Sequence, residues 1–190
     1  MATIAQLHRR ALDETGRVAA GVRPDQLALP TPDAEWDVRA LLNHVVAGNL
    51  WAAELAAGRT IEEVGARLDG DVLGDDPAAA YSASAKVAAD AFDAPGALDA
   101  PCAVSYGPVP GSVYAGHRFL DVLVHGWDLA TATGQDATLD PELVQGCLEV
   151  VEPQLSLLQA SGAFGPAVET SADADPQTRL LAMLGRRSAG

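Results

Sequence analysis

Apolar residues recur along the chain with a helical period, broken by caps, glycines and prolines, and the pattern lays out a series of helices. Ile4, Leu7, Ala11, Thr15 and Val18 fall on one face, which predicts a first helix from about Ala2 to Ala20. A loop holding Pro24, Pro30 and Pro32 follows. A second helix starts near Asp37 and runs to about Ala57, where Gly58 stops it. It is apolar nearly all round, which predicts a central position with His44 inside. Thr60-Ile61-Glu62-Glu63 reads as a capping box for a short connecting helix. Asp76-Pro77 opens a helix through about Ala91, with proline at the first helical position.

The segment from Pro95 to Gly111 is rich in proline and glycine around Ala103-Val104-Ser105-Tyr106, and reads as a loop with room for a short strand. Ser112 is the predicted cap of a long helix that reaches Thr133 and ends at Gly134. Asp140-Pro141 opens another helix, which Pro153 kinks or breaks, and Asp175-Pro176 starts a short last one ending at Gly185. Strand alternation is too sparse for a sheet. The expectation is an all-α fold, a four-helix bundle with short extra helices and long connections, in a single domain over residues 1–190.

Composition sharpens this picture. Alanine dominates and aromatic residues make up only 5%, so the core is to be packed mainly with Leu, Val and Ala. The 26 acidic residues against 12 basic ones give a formal charge of −14, and no basic cluster overrides that field. Such a chain repels a phosphate backbone and an anionic bilayer, so neither nucleic acid nor membrane is an expected partner. The most apolar stretch, Leu41 to Ala57, is too short and too polar to span a bilayer, and the N-terminus has no signal-peptide core. Cys102 and Cys147 form no disulfide framework or metal knuckle, and a cytoplasmic location is expected.

Candidate chemistry concentrates on histidine. His117, Asp121 and His125 are spaced four apart and stack on one helix face, successive members about 6 Å apart along the axis. A carboxylate and an imidazole so spaced can close on one metal ion, or simply hydrogen-bond each other. His44, amid Leu41, Trp51 and Leu55, needs a partner if buried; it is either a neutral core histidine or a ligand. His8 shows no partner and reads as surface. Cys147 reads as buried and inert, and Cys102 lacks the flanking charge of a reactive thiolate.

Trp36-Asp37-Val38-Arg39-Ala40-Leu41-Leu42-Asn43-His44 resembles the W-x-V-x-x-L-x-x-H segment of the DinB-like helical superfamily. Asp121-Val122-Leu123-Val124-His125-Gly126-Trp127-Asp128, with Thr133-Gly134 and the ending Arg179 to Arg186, is similar to the N-terminal domain of mycothiol-dependent maleylpyruvate isomerases and their actinobacterial relatives. The resemblance implies a divalent metal, zinc or nickel, held by His44, Asp121 and His125. It implies mycothiol as a further cofactor. His117 is then a fourth ligand or pocket residue, or else an exposed one; Asp128 is a partner of the His125 ring or a helix–helix hydrogen bond. Trp51 and Trp127 are expected beside the site. Two departures stand out: the isomerases carry glutamate where this chain has Asp121, and they carry a second, C-terminal domain.

The function that follows is a metal-dependent transferase or isomerase that activates a small thiol, its partners being that thiol and an electrophile. A non-enzymatic metal- or ligand-binding module and a metal-dependent hydrolase are the alternatives. The residues offer no general base beyond the ligands, and a homodimer is allowed.

Overall fold

The computed structural model describes residues 2–34, 36–161 and 164–187. Its elements run α1 (Ile4–Ala20), α2 (Val38–Ala56), α3 (Ile61–Val64), α4 (Pro77–Asp93), β1 (Pro101–Val104), β2 (Gly107–Pro110), α5 (Gly111–Thr133), α6 (Pro141–Val151), α7 (Leu155–Ser161) and α8 (Pro176–Met183). The four long helices pack in a closed ring, α1 on α5, α5 on α2, α2 on α4 and α4 on α1, and α6 and α8 cover one flank. The fold is all-α apart from one antiparallel hairpin, β1–β2, registered Cys102 against Val109 and Val104 against Gly107. No described helix is long and apolar enough to cross a membrane.

Local chemistry fixes most helix starts. Side chains of Asp37, Asp76, Asp140 and Asp175 accept from first-turn amides, and Thr60 and Glu63 make the reciprocal capping box. Pro153 ends α6, and a 3₁₀ turn, Glu152–Gln154, joins it to α7.

The start of α5 differs from expectation. The helix begins at Gly111 after Pro110, and Ser112 does not cap it. The amides of Gly111 and Ser112 donate instead to the carbonyls of Ala100 and Leu98, at 2.8 Å each, so the turn before the hairpin takes the place of a cap. A Cβ on Gly111 would collide with the Ala97 carbonyl, which is why glycine stands at this approach.

The central helix is α5 rather than α2. Helix α5 is buried over most of its circumference, between α1, α2 and α6. Helix α2 buries one stripe, Leu41, Leu42, Val45, Val46, Asn49, Ala52 and Leu55, while His44 is only half-buried and Trp51 partly so. The second apolar face of α2 meets a cavity instead of a helix.

His8 is a further correction: it is fully buried, not on the surface. The inward face of α1 is Ala5, His8, Leu12, Thr15 and Ala19, rotated from the stripe the larger apolar residues mark. Its ring stands edge-on to Phe92 with centroids 5.1 Å apart, and neither ring nitrogen has a hydrogen-bond partner among the described residues. Burial, with the positive Arg118 and Arg9 adding to it, lowers its pKa from 6.5 to about 3, so the ring is neutral.

That shift ties stability to pH. Between pH 6.5 and 3 the unfolded chain binds a proton at His8 that the native chain refuses, so the contribution is complete above 6.5 and fades as pH falls. From pH 7 to pH 5 the loss is about 2 kcal/mol. Urea unfolding of wild type and His8→Leu at both pH values should show the wild type losing that much more; equal losses would mean His8 is not held neutral in the core.

Candidate metal centre

Helix α5 carries Arg118, Asp121, His125 and Asp128 three or four residues apart, which places them on one stripe. Helix α2 crosses this stripe with His44, Gly48 and Asn49. The His44 Nε2 lies 3.3 Å from Asp121 Oδ1, and the His125 Nε2 lies 3.5 Å from the same oxygen. The two imidazole rings stand nearly perpendicular, 82° apart, with centroids at 5.1 Å. Trp36 stacks on His44 at 4.4 Å and leans on His125 at 5.7 Å, walling one side.

Around this cluster the charges alternate. Arg118 donates to Asp121 Oδ2 at 2.9 Å and reaches Asn49, which itself donates to Ser84. The His125 Nδ1 is 3.0 Å from Asp128 Oδ2, and Asp128, fully buried, is held by Arg186 at 2.9 Å. Arg186 also donates to Asp33 at 2.9 Å. Burial works against ionisation of Asp121, but Arg118 and His125 outweigh it and hold the carboxyl well below its usual range. Burial likewise favours the neutral His125 ring, but Asp121 and Asp128 outweigh it and push its pKa up to about 9.

The donor set suits a divalent cation. Ligand atoms of His44, Asp121 and His125 all lie within 4.8 Å of one another. Two imidazole nitrogens and a carboxylate oxygen around one ion, each at about 2.1 Å, stand about 3.4 Å apart at tetrahedral angles. The two edges at Asp121 Oδ1, 3.3 and 3.5 Å, match. Arg118 occupies one Asp121 oxygen and leaves the other for the cluster, and Asp128 fixes the His125 ring so that its Nε2 faces inward. A second triplet, Asp33, His125 and Asp128, is also close enough, but the Arg186 guanidinium already bonds both carboxylates and leaves no anionic vacancy for a cation.

Asp121 and Arg118 open onto a cavity of about 820 Å³ between α2, the hairpin, α5 and the segment after α6. Trp51 lines it; Trp127 is packed in the core, and the aromatic ring on the cluster is Trp36. His117 also lines the cavity, but its ring nitrogens are engaged by Tyr106 and Gln154 and it is not grouped with the other three. Arg118 carried a sequence signal, three residues before Asp121. Trp36 stood in the motif without a role. Nothing local pointed to Arg186 or Asp33.

Residues 8–130 match the family model of the mycothiol maleylpyruvate isomerase N-terminal domain. Two uncharacterized proteins of Mycobacterium tuberculosis, from strains CDC 1551 / Oshkosh and H37Rv, are each 40% identical to the chain over 183 residues, covering 94% of it and 95% of their own length. Crystal structures of the mycothiol-dependent maleylpyruvate isomerase and of a histidine-to-alanine mutant superpose with a TM-score of 0.62 at 17% identity. They cover 88% and 85% of this chain, and 78% and 75% of their own.

Gly48 gives a direct test of the packing around Asp121. A Cβ at this position would come within 2.5 Å of both terminal nitrogens of Arg118. Gly48→Ala should therefore lower the unfolding free energy by about 1–3 kcal/mol, despite alanine's better helix propensity. In an Arg118→Ala background the same substitution should cost little, a coupling that a double-mutant cycle reads. Additive effects would show that Gly48 does not make room for the guanidinium.

Proposed function

The chain belongs to the mycothiol maleylpyruvate isomerase N-terminal domain family, and we propose that it holds one zinc or nickel ion on His44, Asp121 and His125 and turns a small thiol such as mycothiol on an electrophile. The observation that carries this reading is the convergence of two imidazole nitrogens on one Asp121 oxygen beside a cavity of ligand size. When bound, the cation lowers the pKa of a thiol so that it reacts as thiolate near neutral pH. His44 and His125 give their Nε2 atoms and Asp121 one oxygen. Asp128 keeps the His125 ring in place, and Trp36 shields its face.

The thiol has to come from outside the chain. Cys102 and Cys147 are both buried, and burial pushes both thiols up, away from reactivity. The solved relatives are by name mycothiol-dependent, which supports mycothiol as that thiol. Aspartate in place of the isomerases' glutamate keeps the ligand anionic and one methylene shorter, so transfer of the thiol fits the site as well as isomerisation.

Calorimetry with zinc and nickel should give close to one ion per chain, and His44→Ala and His125→Ala should each weaken it at least about tenfold. Metal at about 100 times its Kd should add about 2.7 kcal/mol, roughly 5–10 °C in melting temperature for a chain of this size. Full affinity in both variants, with an unmoved melting temperature, would leave the cluster as a plain ion-pair network.

Activity is the separate arm. Electrophile turnover should require both mycothiol and the metal, stop with a chelator, and fall to background in Asp121→Ala. Hydrolysis without any thiol would replace this reading with a hydrolase.

A further inference from the structure

A second polar group lines the same cavity, apart from the His44, Asp121 and His125 cluster. Tyr106 sits in the turn between β1 and β2, and its hydroxyl lies 2.5 Å from His117 Nδ1. The His117 Nε2 lies 3.1 Å from Gln154 Oε1, while the Gln154 amide nitrogen donates to the Val150 carbonyl at 2.8 Å. That last bond fixes the orientation of the whole chain. With its NH₂ on Val150, Gln154 presents oxygen to His117, so His117 carries its proton on Nε2 and accepts from the Tyr106 hydroxyl on Nδ1. A protonated His117 reverses the second bond: Nδ1–H then donates to the phenol oxygen and frees the Tyr106 O–H for the cavity. His117 is one helical turn before Asp121, so the pair and Asp121 of the cluster border one chamber.

Most of the remaining wall is apolar, Trp51, Leu55, Val104, Leu120, Leu157 and Phe164 among it. Arg118 is the one Lys or Arg among the lining residues, and it is already bonded to Asp121 and Asn49. A dicarboxylate entering this chamber of a chain with charge −14 meets no Lys or Arg among the lining residues that is not already paired.

We propose that the cavity takes an uncharged electrophile with an apolar body and a strained carbon–oxygen bond, an aryl or alkyl epoxide, and that Tyr106, oriented by His117, protonates the oxygen as the ring opens. The inference rests on the thiol reading above. The proton lost by the thiol is taken up by His117. The thiolate sulfur forms a bond to an epoxide carbon, the carbon–oxygen bond breaks, and its electron pair stays on oxygen. That oxygen takes the Tyr106 proton, and His117 returns its Nδ1 proton to Tyr106. The product is a β-hydroxy thioether, with no net oxidation and no external proton. Tyr106 is the catalytic residue of this step, and His117 positions and recharges it.

Styrene oxide and benzyl chloride share an apolar body and separate the two readings, because chloride leaves without a proton. With zinc-loaded protein and mycothiol, Tyr106→Phe should reduce styrene oxide conjugation at least tenfold more than benzyl chloride conjugation. His117→Ala should reproduce the split. Equal losses on both substrates, or none, overturn the proton-donor role and leave thiol activation standing. Metal- and thiol-dependent turnover of benzyl chloride alone by the wild type overturns the epoxide assignment. Turnover of neither overturns thiol activation and this proposal together. A readout without metal or chemistry is calorimetry of 1-phenylethane-1,2-diol, which should bind metal-free protein and bind at least threefold more weakly to Tyr106→Phe. Unchanged affinity in the variant, or preferential binding of maleate, overturns the ligand class.

Discussion

A carboxylate inside a helical core has to be compensated, and the arrangement around Asp121 follows from that requirement. Arg118 answers it from the same helix, and Gly48 exists as glycine so that the guanidinium can pass α2. His125 answers it from the next turn and thereby becomes a cation in need of its own partner, Asp128. Asp128 in turn draws in Arg186 from beyond the end of α8, and Arg186 ties down Asp33 in the loop before α2. The result is a line of alternating charges that joins three separate parts of the chain. Such a line is costly to break at any one link, because each removal strands a buried charge.

The same line holds three donor atoms of the cluster within 4.8 Å of one another, a spacing that could take a cation. A divalent ion held there would displace the His125 proton, so the link would gain one positive charge rather than two. Arg118 remains on the far oxygen of Asp121 and limits the carboxylate to one donor atom. The geometry seen as a network of ion pairs is also one that could hold an ion. That is why distances alone serve both, and why thermodynamic measurements on the ligand variants divide them.

What could be read from the sequence was whatever depends on neighbours in the chain. The aspartate and threonine caps placed five helix starts, since a cap is made by residues three apart. The Asp121–His125 pair was legible for the same reason, and His44 through the motif around it. Misreadings arose where distant parts intervene. The carbonyls of Leu98 and Ala100 replaced a serine cap, and a cavity took the second apolar face of α2, which had suggested a central helix. His8 lay hidden because small residues, Ala5 and Ala11 among them, mark the true inner face of α1 less loudly than Ile4 and Leu7 do. Arg186, separated from Asp128 by 58 residues, gave no signal at all.

Ancestry and chamber constrain function at different levels. Family membership bears on the stripe of α5 and its partner on α2, which together carry the His44, Asp121 and His125 cluster. The chamber's other walls come from the hairpin, Gln154 and the segment after α6, outside or at the edge of the helices that carry the cluster. Residues 8–130, which match the family, include the hairpin but end before Gln154, Leu157 and Phe164. A shared fold at 17% identity carries the helices and not their chemistry, so function has to be argued from the side chains of the cluster and the walls around it.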